Sequence, residues 1–385
     1  PKSRQKFCNV KCQRSTAYKR NKKETIEIEE PVIKSTSRGP EYKNFVENYA
    51  AKLEDNRLTH QQVAYALKVS RSVVTKMYAA YLEDKKNYEA QSDWKIAQAT
   101  VKSLEDFKKF RDKYFKTETG ELYETADFHE KWINSIVDAI KHGKQQMILS
   151  PPRHGKTDLL IHFAVWQICK NPNIRIMWVG GNEDIAKNAV GGVLDHLENN
   201  EALNEDINGP GIKFQPKVRS GKSWSSGQFT VGTRTITGIK SPTMVAVGKG
   251  GKILSRDCDL IIADDIEDHG TTIQPSAREQ TRQWWTTTLS SRKEEHTGVV
   301  VIGSRQHPED LYNFLLENPE FEHIVEEAHK TDCVLPETET DKHTDCMLWK
   351  NKRTYKWLMS QKNNADTTGG RAIYEMVYLN VAMPD

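Results

Sequence analysis

Apolar residues along the chain change their rhythm twice, and the changes divide it. Phe45, Val46, Tyr49, Ala50 and Leu53 recur at helical spacing, and Thr59 then stands as an N-cap for a second helix presenting Val63, Ala64 and Leu67. Lys68 and Val69 break that helix, Ser70 caps a third, and Val73, Val74, Met77 and Tyr78 give the third an apolar face. Residues 41–87 therefore predict a small all-α unit of the helix-turn-helix kind, in which Arg71, Ser72, Thr75 and Lys76 would face a DNA groove. Three-helix units of this size also serve as protein-docking modules. Residues 88–124, rich in Lys, Asp and Glu with scattered aromatics, predict a helical connector.

Beyond residue 125 the pattern becomes one of short continuous apolar runs: "QMILS" (146–150), "IRIMWVGG" (174–181), "LIIAD" (260–264) and "GVVVIGS" (298–304). Helical stretches at 156–170, 182–200 and 275–292 separate them. Unalternating runs of this length belong to strands buried on both faces, so the expectation is an α/β fold with a mainly parallel sheet. Residues 213–249, dominated by Gly, Thr, Ser and Lys, read as an antiparallel hairpin or loop inserted at the sheet edge.

Charge alters the picture at one end. Residues 1–23 hold nine Lys or Arg and no acid, against a net charge of +3 for all 385 residues, so everything after them is net acidic. A tail of this kind favours DNA over protein as the partner of the helical unit; its other reading is a solvated charge run. Cys8 and Cys12 within it resemble half of a treble-clef zinc site whose other ligand pair would lie upstream, or are two ordinary thiols. Residues 24–40 change sign, carry two prolines and read as a linker. The scattered cysteines do not look like a disulfide framework. No apolar run approaches the roughly 18 residues of a membrane span, and no signal-peptide segment follows the basic start, so the chain is expected to be intracellular.

The chemistry centres on "SPPRHGKT", Ser150 to Thr157, between a strand and a helix. Backbone N–H groups and the positive helix end would face a phosphate chain, Lys156 would neutralise the β and γ phosphates, and the Thr157 hydroxyl would join a Mg²⁺ shell. Pro151 and Pro152 preset the turn, and Gly155 permits close approach. The partner signal is "CDLIIADDIED": Asp264 closes a strand as the Mg²⁺ carboxylate, while Asp265 and Glu267 are rivals for activating water. In "VVVIGSRQHPEDL", Ser304 and Arg305 end a strand beside that of Asp264, where one or the other would sense the γ-phosphate; the other reading is a surface loop.

These segments, with the helix "SAREQTRQWWTTTLSSR" and the later "MLWKNKRTYKWL…RAIYEMVYLNVAMPD", occur in the order and spacing of the large terminase subunit of tailed bacteriophages. The resemblance runs from about Thr125 onward. It implies a P-loop (ASCE-type) ATPase core over 125–335 and a lid subdomain over 336–385, using ATP and Mg²⁺ to drive double-stranded DNA into a procapsid. It implies a homo-oligomeric ring, usually a pentamer, working with a portal protein and a small terminase subunit at the procapsid in the host cytoplasm. It further implies phosphate contacts from Arg153 beside Pro152 and His154, an arginine acting in trans (Arg256, or else Arg234), and base contacts near Phe128 and His129 in a loosely matching segment. Lys240, Lys249 and Lys252 are candidates for gripping DNA. The family's nuclease would begin about where Asp385 falls, so no nuclease site is expected within these residues. Gln306 departs from the family's aromatic, and the helix-turn-helix with its zinc-finger half is not standard for it. A helicase-like translocase, or a DNA-binding protein with a nucleotide switch, are the alternative functions.

Overall fold

The computed structural model describes residues 40–54, 56–83, 106–209, 211–217, 220–253, 257–368 and 370–381. Cys8, Cys12, the basic tail, the linker and Arg256 lie outside the described residues. The chain divides into two compact units, Pro1–Asp93 and Trp94–Asp385.

The first unit has its own small core. Helical segments Pro40–Phe45, Val46–Ala50 and Ala51–Glu54 run on from one another, followed by His60–Leu67 and a helix over 71–83. Phe45, Ala50, Leu53, Val63, Ala64 and Val74 are buried together. Thr59 caps the middle helix through a reciprocal box with Gln62. Lys68 ends that helix in the left-handed region, at φ 55°, which produces the tight break. Arg71, Ser72, Thr75 and Lys76 are all exposed on one side of the next helix.

The second unit is built on one eight-stranded sheet. Its strands are β1 (Gln145–Leu149), β2 (Ile176–Gly180), β3 (Trp224–Ser225), β4 (Gln228–Phe229), β5 (Met244–Gly248), β6 (Leu260–Asp264), β7 (Gly298–Gly303) and β8 (Phe321–Val325), in the order β3-β4-β5-β2-β6-β7-β1-β8. All neighbours are parallel except at the β3–β4 hairpin and its junction with β5. Alternate side chains leave opposite faces. Ile148, Trp178, Ile262 and Val300 join one core, with Leu160 and Phe163 from the helix Lys156–Lys170. Met147, Val179, Ile261 and Val301 join another, with Trp285 and Leu311 from the opposite side. Burial on both sides is why the strand sequences are apolar throughout.

Three expectations need correcting. Of the described part of the connector only Phe107–Tyr114 is helical; residues 116 and 122 then bridge in antiparallel fashion around Gly120. The segment over 213–249 does contribute an edge hairpin, β3–β4, but its end is β5, a parallel strand buried beside β2. The edge strand β8 gave no signal because most of its side chains are not buried. The helix expected over 275–292 is α-helical over Pro275–Trp284, then widens into a π-turn at Trp285–Leu289 and tightens over Ser290–Arg292.

Register brings Gly248, Gly180 and Asp264 level with Ile302, and Gly303, one residue on, level with Leu149, at the carboxyl ends of five adjacent strands. Because β7 lies between β1 and β6, the loop after β1 faces the end of β6 across Ser304.

Candidate functional site

The loop after β1 is held from several sides. Gly155, at φ 75°, turns the chain into the helix Lys156–Lys170, whose start has no side-chain cap. Its leading N–H groups are thus directed at the loop's concavity. His129 accepts from the Ala126 amide at Nδ1, so its proton sits on Nε2 and is donated to the His154 carbonyl at 2.9 Å. A side chain at Gly155 would meet His129 Nε2 at 3.3 Å and the Trp349 ring at 3.5 Å. The backbone is therefore required there for space as well as for φ. Arg353 donates Nε and Nη2 to the Arg153 carbonyl at 3.1 and 2.8 Å. Arg153 itself has φ 63°, a sparsely populated conformation for a residue with a side chain, and its guanidinium lies at the surface.

Lys156 is 6% exposed, and its ammonium donates to Ser304 Oγ at 2.8 Å, Ser150 O at 3.0 Å and Pro151 O at 3.3 Å. Ser304 in turn donates to Ser150 O. Thr157 Oγ1 donates to Asp264 Oδ2 at 2.8 Å, and Asp264 Oδ1 is buried with no hydrogen-bond partner. Burial, and next to it the charge of Asp265, push the Asp264 carboxyl up to about 7. A cation beside Oδ1 would relieve that penalty, so the donor set fits a hard divalent ion such as Mg²⁺.

The rival acids are in different surroundings. Asp265, at φ 42°, keeps an accessible carboxylate 3.9 Å from Lys156 Nζ. Glu267 is buried, accepts from the Leu311 amide at 3.1 Å and is paired with Lys249 at 3.0 Å. Burial raises its pKa, with Lys249 acting against it.

Several candidate residues stand differently from expectation. Lys249 follows directly on the parallel strand β5 and its ammonium is taken up by Glu267 and Thr271, so it is not displayed on a hairpin; Lys240 and Lys252 are exposed. Arg234 is committed to the Ser241 and Ile174 carbonyls. Phe128 and His129 are packed among Trp132, His154 and Trp349 and offer no open face to a base. Arg305 is 4% exposed, pairs with Asp310 and donates to Pro308 O and Asn313, while its amide meets Asn380 Oδ1. It ties the end of β7 to the end of the last helix, Arg371–Leu379, and Ser304 alone of the two touches Lys156. Trp349 and Arg353 carry contacts to the loop that no local motif announced. Their signal was the basic and aromatic run "MLWKNKRTYKWL".

A phosphate-type loop between a parallel strand and a helix N-terminus, facing a strand-end carboxylate, defines a P-loop α/β protein. No family model matches the chain, and a search of curated proteins returns no match. Among solved structures it is similar to the HK97 bacteriophage large terminase, with 14% identity, a TM-score of 0.47, 72% of this chain covered and 55% of that one. It is also similar to a mutant ATPase domain of the Thermus phage P74-26 large terminase, with 13% identity and a TM-score of 0.38 over 66% of this chain and 98% of that one. The chain thus spans about half the length of the HK97 protein.

Proposed function

We propose that this chain is the ATP-hydrolysing subunit of a viral DNA-packaging motor, a large terminase. The observation that carries the ATPase reading is the Thr157–Asp264 hydrogen bond at 2.8 Å beneath the Lys156 loop, with an unpartnered carboxylate oxygen alongside. The order of the sequence segments carries the packaging reading.

When bound, Mg²⁺ would neutralise charge developing on the phosphates. Thr157 and Asp264 would hold it, and the backbone N–H groups around Gly155 would orient the phosphate chain. Lys156 would exchange its present carbonyl and Ser304 partners for phosphate oxygens. Asp265 is the better placed acid to accept a proton from water, since Glu267 is already tied to Lys249 and Leu311. Arg153 would contact the phosphates in cis. Arg256 from a neighbouring subunit of a ring would complete the site, and an arginine supplied in this way is worth about 10³ to 10⁵ in rate. Hydrolysis by the isolated chain is therefore slow. Lys240 and Lys252 would touch the DNA backbone, with portal protein and small terminase subunit as further partners at the procapsid.

The test is ATP turnover and DNA translocation by the full chain, with and without double-stranded DNA, beside Lys156→Ala. Loss of both activities in the variant is expected. Strand separation by the wild type would replace this reading with a helicase-like translocase. DNA-dependent activities unchanged by Lys156→Ala would replace it with a DNA-binding protein carrying a nucleotide switch.

A further inference from the structure

Away from the loop, His329, Cys333, His343 and Cys346 converge, and none of them contributes to the nucleotide site. Each presents one ligand atom, and the four atoms lie within 4.8 Å of one another. His329 stands in a bridge with Met347, Cys333 ends a turn closed by its amide on Lys330 O, and His343 and Cys346 lie on the 3₁₀ turn Thr340–Cys346. His329 Nε2 is 2.9 Å from His343 Nδ1, Cys333 Sγ is 3.7 Å from the same nitrogen, and the Cys333 and Cys346 sulfurs are in contact at bonding range. A tetrahedral zinc ion, with Zn–N about 2.0–2.1 Å and Zn–S about 2.3 Å, sets its ligand atoms roughly 3.3–3.8 Å apart. The Cys333–His343 separation is of that size and the two imidazole nitrogens are near it, while the two sulfurs would have to move apart to take up an ion between them.

The protonation pattern also fits. His343 Nε2 lies 3.1 Å from the Pro336 carbonyl, which can only accept, so that nitrogen carries the proton and Nδ1 is a bare lone pair directed at the cluster. An outward N–H to a backbone carbonyl is how metal-ligating imidazoles are oriented. The His343 ring is 1% exposed and stacks on Tyr355 at 3.7 Å and 4°, and His329 packs on the same ring at 4.8 Å. A Cys333–Cys346 disulfide would account for the sulfurs but not for two imidazole nitrogens brought onto them. One cation accounts for all four.

We propose that His329, Cys333, His343 and Cys346 form a structural zinc site. The need for one is local. Among the described residues, Ala328, Met347, Tyr355, Leu358 and Tyr374 are buried here as a separate core, with Trp357, Met359 and Tyr378 partly buried against it, and a core that small needs a staple. The metal fixes the segment just before Trp349 and Arg353, and so positions the two side chains that press on the phosphate loop.

The experiment measures metal in the full chain carrying Cys8→Ser and Cys12→Ser, purified under reducing conditions with Zn²⁺ present. About one equivalent of zinc per chain is expected, falling to background in Cys346→Ser and in His343→Ala. Exchange into Co²⁺ should give the intense d–d bands of a tetrahedral ion with a thiolate charge-transfer band, a readout that does not depend on the last two variants folding. Absence of both metals would overturn the proposal, as would zinc content unchanged by both substitutions, or a Cys333–Cys346 cross-link recovered in peptides from the reduced preparation.

Discussion

Asp265 and Glu267, two positions apart, illustrate how much a side chain's neighbours decide. Asp265→Asn should lower kcat by about 10²–10⁴-fold with little change in nucleotide affinity, as measured by turnover beside fluorescent-nucleotide titration. Equal loss in both quantities would assign Asp265 to binding. Glu267→Ala should instead leave the Lys249 ammonium without its partner in the interior and cost about 3–5 kcal/mol in denaturant unfolding. Acid sensitivity is set at this scale too. Burial depresses His129 and His154 to about 4 from an ordinary value of 6.5. Between those values the unfolded chain binds protons that the folded one refuses, so stability rises with pH and is lost as pH falls from 6.5 toward 4. An unfolding midpoint constant over that interval would show that these imidazoles are solvated.

At the scale of elements, the site depends on contacts between segments far apart in sequence. Trp349 and Arg353 reach a loop some 200 residues earlier, Arg353 through two hydrogen bonds to the Arg153 carbonyl. Arg353→Ala should release that loop and weaken nucleotide binding by roughly 10-fold, in line with a charged hydrogen bond worth about 1.5 kcal/mol. Unchanged affinity would mean the loop holds its shape through His129 and Gly155 alone. Gly303 serves a different junction: a Cβ there would fall 2.3 Å from Tyr312 Oη, the hydroxyl that meets the Glu267 amide. Close approach of β7 to the helix Leu311–Leu316 thus sets where Glu267 lies. The elements themselves were legible where both faces are buried, as in "LIIAD" and "GVVVIG". β8 and β5 were not, because an exposed edge strand and a short run bounded by Gly and Ser lack a period of their own.

For the molecule as a whole, the two units carry separable expectations. Arg71→Ala and Lys76→Ala in the three-helix unit should each weaken binding to double-stranded DNA and reduce its salt slope by about one, leaving ATP turnover without DNA untouched. A loss confined to one DNA sequence would mark base reading in place of phosphate contact. The sequence by itself determined the turn after β1, the carboxylate that closes β6, the Thr59 cap and the double-sided sheet, because each is written in neighbouring residues through turn geometry, capping and hydrophobic period. Tertiary structure alone decided which acid faces Lys156, that Lys249 is spent on Glu267, that Phe128 and His129 turn inward, and that His329 and Cys333 meet His343 and Cys346. Those outcomes depend on strand order and register, which bring distant residues within a few ångströms and which no local pattern records.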